Sequence, residues 1–185
     1  MSEPRVPPET VRTARLDLLP LRVEHAEEMA VVLSDPALHT YIGGAPLSPA
    51  DLRARYERLI SGSPDPAVSW CNWVLRLRAR SCLVGTVQAT VTEGRPRDGR
   101  GAEIAWVIGS RWQGRGFASE AARGLVDWLG RRSVRTVVAH IHPAHAASAA
   151  VAAAAGLAPT DEEQDGETRW RLTPPPQPAD PPALP

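Results

Sequence analysis

The feature that most constrains this chain is a strand, a glycine-bearing turn and a helix in direct succession over residues 103–129. The run Glu103–Ile108 is almost wholly apolar, which is typical of a strand covered on both faces. A turn follows over Gly109–Gly116, and a helix is expected to begin near Phe117. The apolar residues of this helix recur at i, i+3, i+4, i+7, i+8 and i+11, namely Ala118, Ala121, Ala122, Leu125, Val126 and Leu129. This stripe predicts a helix that packs one side on a sheet and exposes the other, on which Glu120 falls.

The turn has the composition of an anion-binding site. The first amides of a helix lack intrahelical partners, and the helix dipole places partial positive charge beside them. Gly114 and Gly116 have no Cβ, so a bulky anion can reach those amides. Arg111 and Arg115 add full positive charge at the rim. We therefore expect a diphosphate to bind at the start of this helix.

The pattern Gln113-x-x-Gly116-x-Ala118 is neither a Walker loop nor a complete G-x-G-x-x-G, because no Lys-Ser/Thr follows and position 119 is Ser. It resembles the coenzyme A signature of the GNAT superfamily of N-acetyltransferases. The longer run over residues 114–121, GRGFASEA, looks most like the ribosomal-protein-alanine N-acetyltransferase (RimJ/RimL-like) branch. The resemblance covers roughly residues 13–172. It implies that acetyl-CoA donates an acetyl group to a primary amine, which attacks the thioester directly.

The order of the predicted elements, β-α-α-β-β-β-α-β-α-β-β, is also that of the superfamily. The resemblance implies an α/β (α+β) fold with a mixed central sheet of six to seven strands and about four flanking helices. The fourth and fifth strands should splay apart, leaving the edge of the fourth strand, Trp106–Ile108, to pair with the pantetheine arm of the cofactor. We expect one domain over residues 14–172, between a disordered tail at 1–13 and a proline-rich disordered tail at 173–185.

The resemblance also assigns the cofactor contacts and shows where this chain departs from its relatives. Ser148 matches the usual Asn-x-x-Ser arrangement, but His145 stands where Asn is common. Ala152 occupies a position at which many members carry Tyr. The expected cofactor contacts are Trp106, Val107, Ile108, Arg111, Gln113, Gly114, Arg115, Gly116, Phe117, Ala118, His145 and Ser148.

Acetyl transfer needs a group that removes a proton from the amine and a donor that stabilises the oxyanion. Glu103 is the first candidate for the general base, because burial in an apolar strand would favour a carboxyl that takes up a proton near neutral pH. His140 and His142 are alternative bases. The backbone amide near Val107 would stabilise the oxyanion, and Ser148 would protonate the leaving thiolate or only bind coenzyme A.

The acceptor site is the least specified part of the chain. In the superfamily, the first two helices and the loop between them, here residues 38–47, form much of the acceptor pocket. Tyr41, Trp73 and Glu103 are therefore candidate substrate contacts, although Tyr41 and Trp73 also suit ordinary core packing. Whether the acceptor is a peptide or protein N-terminus or a small-molecule amine cannot be read from loops.

Composition limits the partners, metal sites and cellular locations that we expect for this chain. Lys and Arg total 21, as do Asp and Glu, so we expect neither a nucleic acid nor a membrane surface as partner. Cys71 and Cys82 have no C-x-x-C spacing and no nearby His, so we expect reduced core residues and no metal site. The start of the chain has no apolar targeting region, and no stretch is long enough to span a bilayer, which predicts a cytoplasmic protein. A homodimer is a further implication of the resemblance.

Two other functions stay open. The missing Tyr and the His-for-Asn exchange are compatible with a catalytically silent domain that binds acyl-CoA as a sensor or scaffold. An arginine-rich pocket would instead suit another donor, such as succinyl-CoA, with a second carboxylate.

Overall fold

The computed structural model describes residues 6–94 and 99–172. Within these ranges the strands are β1 Val11–Arg12, β2 Leu16–Pro20, β3 Val68–Leu77, β4 Cys82–Thr92, β5 Arg100–Ile108, β6 Val134–Ile141, β7 Leu157–Gln164 and β8 Glu167–Leu172. The α-helices are α1 Ala26–Val32, α2 His39–Ile42, α3 Pro49–Ile60, α4 Phe117–Gly130 and α5 Ala146–Ala154. None of the helices in these ranges has the length and apolarity needed to cross a bilayer.

The strands form one mixed sheet in the order β1-β2-β3-β4-β5-β6-β8-β7. β5 and β6 pair in parallel, while the other described pairs are antiparallel. The predicted mixed α/β sheet is confirmed, but the described residues form eight strands instead of six to seven and five α-helices instead of about four. The two-residue β1 and the one-turn α2 are too short to be recognised from hydrophobic periodicity.

The N-terminal segment corrects the prediction of a disordered tail over residues 1–13, which is wrong for residues 6–13. The side chains of Val6 and Val11 are each only 6% exposed. The Val6 amide donates to Ser69 Oγ at 3.1 Å, and Trp73 Nε1 donates to the carbonyl of Glu9 at 2.8 Å. Because this segment is rich in proline, it shows no hydrophobic periodicity in the sequence, yet it packs against the sheet as an extended chain. Residues 1–5 and the predicted tail at 173–185 lie outside the described ranges.

The two faces of the sheet carry separate hydrophobic cores. One core joins the sheet to α4 and α5, and it contains Trp73 and Trp128, whose rings meet edge to face with centroids 4.9 Å apart. The other core joins the sheet to α1 and α3 and contains Met29, Leu52 and Tyr56. The predicted apolar face of α4 is confirmed, and Phe117 and Trp128 extend it. Helices therefore cover both faces of the central strands.

β5 and β6 pair only at their beginnings. Their register runs from Arg100 opposite Val134 to Glu103 opposite Val138. β5 then continues to Ile108 without β6 beside it, and β6 pairs with β8 from Val138 onward. The strands thus splay apart as predicted, and they do so directly after Glu103.

Candidate active site

Two clefts meet on β5. The splay cleft, of about 600 Å³, lies between β5 and β6 and is also lined by the turn before α4 and by α5. The helix cleft, of about 520 Å³, lies between α1, α2, α3 and the middle of the sheet. Residues 104–107 line both clefts, as do Tyr41 and His140. A molecule in one cleft can therefore approach a molecule in the other across β5.

The turn that enters α4 has an unusual backbone. Gly114 and Gly116 adopt φ angles of 71° and 76°, a region that costs an L-residue with a side chain roughly 1–2 kcal/mol. Gly116 is the N-cap residue of the 14-residue α4, and no side chain caps the helix at this point. A Cβ added at Gly114 would meet no other atom within 4 Å. The helix start has the open amides and the space that a diphosphate requires.

The polar side chains of the turn make contacts within the protein. Gln113 Nε2 donates to the carbonyl of Ile108 at 3.0 Å, so this side chain ties the turn to the end of β5. The guanidinium groups of Arg111 and Arg115 lie 5.0 and 5.4 Å from the ring centroid of Trp112. Both arginines are exposed and do not belong to the lining of the splay cleft. Their role in binding a cofactor stays a prediction.

A second layer of contacts supports this turn, and the sequence reasoning missed it. Glu120 accepts hydrogen bonds from Thr13 Oγ1 at 2.5 Å, the Arg15 amide at 2.6 Å and Arg15 Nε at 2.7 Å. Arg15 Nη1 in turn donates to the carbonyl of Arg115 at 2.9 Å. Burial raises the pKa of Glu120, but the hydrogen bonds from Thr13 and Arg15 outweigh it and hold the pKa below its ordinary value. The predicted solvent-facing role of Glu120 is therefore wrong.

Glu103 and His140 form a pair at the point where the strands separate. His140 Nδ1 lies 3.0 Å from Glu103 Oε1, so the imidazole donates a hydrogen bond to the carboxylate when Nδ1 carries the proton. The side chain of Glu103 is 56% exposed and that of His140 is 13% exposed. The predicted burial of Glu103 is thus wrong, because alternation along β5 turns its side chain towards the helix cleft. Two residues proposed as alternative bases are in contact.

Aromatic rings connect the two sides of the site. Tyr41 stacks on His145 with centroids 4.1 Å apart, and His142 lies 5.5 Å from the same ring. Burial, and then the neighbouring His142, hold the pKa of His145 below its ordinary value, so the ring is neutral near pH 7. Tyr41 is 38% exposed and lines both clefts, and its role as a substrate contact stays a prediction.

Trp73 was predicted as a substrate contact or as a core residue, and its side chain lies in the core. Its strand walls the helix cleft, but its indole is fully buried and points into the core against Trp128 on the opposite face of the sheet. Its Nε1 is already bonded to the carbonyl of Glu9. Trp73 is among the residues that line the helix cleft, but alternation along β3 directs its side chain to the face of the sheet opposite to that of Val74.

The remaining predicted residues fall on α5 and in the cores. Ser148 and His145 line the splay cleft, whereas Ala152 is fully buried and does not. Cys71 and Cys82 are free thiols, and burial raises the pKa of Cys71 to about 12. Across residues 6–94 and 99–172, no group of three or more His, Cys, Asp or Glu side chains is arranged to hold a metal ion.

Comparisons with known proteins agree with this geometry. A family model described as an acetyltransferase (GNAT) domain matches residues 15–158. Comparison with curated protein sequences gave no match. Many solved structures have the same fold, and three of them are described next.

RimL, a ribosomal-protein alpha-N acetyltransferase solved in complex with coenzyme A, is 17% identical with a TM-score of 0.72, covering 88% of this chain and 97% of its own. An acetyltransferase from Agrobacterium tumefaciens is 24% identical with a TM-score of 0.67, covering 90% and 95%. MccE, a microcin self-immunity acetyltransferase solved with acetyl-CoA and AMP, is 15% identical with a TM-score of 0.68, covering 85% and 92%.

The family match spans well over half of the 185 residues. It contains the whole strand–turn–helix unit, including β5, which lines both clefts. The chain belongs to the GNAT family of acetyltransferases and is an N-acetyltransferase.

Proposed function

We propose that this chain transfers the acetyl group of acetyl-CoA to a primary amine that attacks the thioester directly. The observation that carries the proposal is the meeting of the two clefts along residues 104–107, with the Glu103–His140 pair at one end of this stretch. A donor in the splay cleft and an acceptor in the helix cleft would meet there. Bringing the two reactants together in this way supplies much of the rate enhancement of a bimolecular reaction.

The splay cleft is the proposed cofactor site. Amides at the start of α4, from Gly114 to Ala118, would hold the diphosphate, and Arg111 and Arg115 would add charge at its rim. The free edge of β5 from Trp106 to Ile108 would pair with the amides of the pantetheine arm. His145 and Ser148 line the opposite wall, where they would contact the same molecule.

The chemistry uses groups on β5 and β6. Glu103, oriented by His140, would take a proton from the ammonium form of the acceptor, and the free amine would attack the thioester carbonyl. The amide near Val107 would donate to the oxyanion. A C–N bond forms, the C–S bond breaks, and the thiolate of coenzyme A leaves; the proton that the attacking nitrogen loses as it becomes an amide would replace the one that Ser148 gives to the thiolate. Ser148 is the proposed proton source for that thiolate, because the buried Ala152 offers no acidic group.

The acceptor side supports a finer proposal, the RimJ/RimL-like branch and a peptide or protein N-terminus as acceptor. RimL is named for acetylating the alpha-amine of a ribosomal protein, and it covers most of this chain. A small-molecule amine is the competing acceptor. A homodimer and a cytoplasmic location belong to the same proposal.

A second function is favoured by one observation. Ala152 is fully buried at the position where many relatives carry a Tyr, so the chain could bind acyl-CoA without turning it over. A protein of this kind would bind acetyl-CoA tightly and release no thiol with any amine.

The test is release of free thiol from acetyl-CoA in the presence of an amine panel. The panel contains peptides with N-terminal Ala or Ser, amino-acid amides, polyamines and aminoglycosides, and succinyl-CoA serves as a second donor. We expect thiol release that depends on both enzyme and acceptor and is faster with acetyl-CoA than with succinyl-CoA. Tight acetyl-CoA binding with no release on any amine would support the silent binder.

A further inference from the structure

Three arginines gather around one indole ring beside the splay cleft. The guanidinium carbons of Arg80, Arg111 and Arg115 lie 5.8, 5.0 and 5.4 Å from the ring centroid of Trp112. Arg80 comes from the turn between β3 and β4, whereas Arg111 and Arg115 belong to the turn that enters α4. Two separate segments of the chain therefore bring these three side chains, the arginine cluster, to one place.

The charge of the arginine cluster is not balanced by carboxylates. All three arginines are exposed, and within residues 6–94 and 99–172 none of them forms an ion pair with Asp or Glu. Their neighbour Arg15 differs, because it is paired with Glu120 at 2.7 Å. The three unpaired charges share a region comparable in size with the Debye length, about 8 Å at physiological ionic strength, so they repel one another. A bound anion would relieve this repulsion.

The main chain beneath the arginine cluster is held from inside the protein. Trp112 is only 5% exposed, and it lines the splay cleft. The carbonyl of Arg115 accepts a hydrogen bond from Arg15 Nη1 at 2.9 Å. Arg111 and Arg115 therefore extend from a supported turn, so an anion that binds them need not first order the main chain.

The position of the arginine cluster separates its ligand from the diphosphate. Gly114, Gly116 and Ala118, which belong to the proposed diphosphate site, line the splay cleft, whereas the arginine cluster does not. An anion on the cluster would thus lie outside the cleft but close to the diphosphate, because Arg115 stands between Gly114 and Gly116. Coenzyme A carries such a second anion, a phosphate monoester on the 3′ oxygen of its ribose. It is one sugar ring away from the diphosphate, and a phosphate monoester is largely dianionic at neutral pH.

We propose that the arginine cluster binds the 3′-phosphate of coenzyme A outside the splay cleft. Planar guanidinium groups suit this role, because each can donate two parallel hydrogen bonds to phosphate oxygens. Arg80 is the member of this site that lies outside the Gln113-x-x-Gly116-x-Ala118 pattern. The inference rests on the proposed function, since it assigns how the donor of that reaction is recognised.

The experiment compares coenzyme A with 3′-dephospho-coenzyme A, which lacks only this phosphate, by calorimetry. The wild-type protein should bind 3′-dephospho-coenzyme A about tenfold more weakly, since one exposed ion pair contributes up to about fivefold and the cluster offers three. Arg80→Gln should reduce this ratio of Kd values about three- to fivefold. Both ligands share the diphosphate and the pantetheine arm, so the ratio cancels effects of the substitution on the rest of the site.

Arg131→Gln is the matched control, because it removes the same charge from an exposed residue at the other end of α4 and should leave the ratio unchanged. Raising the salt concentration should lower the wild-type ratio, since exposed charges are screened. Melting temperature reports whether Arg80→Gln is folded, and Arg111→Gln, with the same expected pattern, tests the cluster independently.

Equal wild-type affinity for the two ligands would overturn the proposal and leave the proposed function intact, because the cofactor would still bind. The arginine cluster would then only cover Trp112. A ratio that stays the same in Arg80→Gln and Arg111→Gln, or that falls equally in Arg131→Gln, would also overturn it. If neither ligand binds, the proposed function and this inference fail together.

Discussion

The splay cleft and the helix cleft share a strand but are built by opposite means. The part of the splay cleft that would hold the diphosphate and the pantetheine arm is made of backbone: a free strand edge and the uncapped start of α4, from residues that are neighbours in the chain. The helix cleft is lined by residues from α1, α2, α3 and five strands. A site made of contiguous backbone leaves a motif in the sequence, whereas a site made of dispersed side chains does not.

The difference has a functional consequence. The donor site is suited to one fixed chemical group, a diphosphate, which backbone amides bind whatever the neighbouring side chains are. The acceptor site depends on individual side chains, so it can change its substrate without disturbing the donor site. The Glu103–His140 pair lies between the two clefts. Substitutions in the splay cleft and substitutions in the helix cleft should therefore have distinguishable effects on acetyl-CoA binding and on turnover.

The largest expected effect is that of Glu103→Gln. Removing the carboxylate should lower kcat by about 10²–10⁴-fold, the usual contribution of a general base. Because Glu103 lines the helix cleft and not the splay cleft, the Kd for acetyl-CoA should change little. Rapid-mixing turnover and calorimetry measure the two quantities. An unchanged kcat would remove Glu103 from the chemistry.

The next effect is confined to the splay cleft. Gly116→Asp places a negative charge at the N-cap of α4 and should weaken acetyl-CoA binding at least about 100-fold, since like charges in contact cost several kcal/mol. Gly116→Asn is the matched control, because Asn tolerates a positive φ and adds no charge. It should lose far less affinity. Equal losses in the two variants would mean that shape, not charge, governs this position.

A smaller effect is expected one layer behind the turn. Glu120→Gln weakens the contacts with Thr13 and Arg15 that support the carbonyl of Arg115. The acetyl-CoA affinity should fall about three- to tenfold, the range for a hydrogen bond to a charged group. Asp127→Asn, on the exposed face of the same helix, is the control and should leave the affinity unchanged. An effect of equal size in both variants would point to helix stability alone.

The smallest effect concerns His145, whose ring stacks on Tyr41. Because burial lowers the pKa of His145, the folded protein disfavours the protonated ring. Stability is therefore full above the ordinary pKa of 6.5 and is lost as the pH falls towards the lowered value. His145→Phe keeps a ring for Tyr41 but cannot titrate. The melting temperature of the wild type relative to this variant should fall by about 1–2 °C between roughly pH 7 and pH 5. A constant difference over that range would contradict the assignment.

The sequence predicted the central unit well because its signals are local. The strand ending at Ile108, the glycine-bearing turn and the helix from Phe117 each follow from neighbouring residues. The splay after Glu103 came from the resemblance and is confirmed by the register of β5 and β6.

The errors arose where partners are distant in the chain. Glu120 was placed on the solvent face because helical spacing cannot reveal Arg15, which lies 105 residues away. For Trp73 the cleft and the core both stayed open, because the size of the side chain was visible in the sequence and the face of its strand was not. His39 and Tyr56 line the same cleft from α2 and α3, and no local pattern in the sequence predicts this.

The most direct test of the account is to follow the backbone amide signals of the ¹⁵N-labelled protein by NMR while coenzyme A, or inorganic pyrophosphate alone, is added. If the start of α4 holds the diphosphate, both additions should shift the amide signals of Gly114 and residues 116–118 most strongly. Coenzyme A, but not pyrophosphate, should also shift the signals of residues 106–108. If the amides at the start of α4 stay in place while coenzyme A binds elsewhere, the diphosphate is not held at this turn and the central claim is wrong.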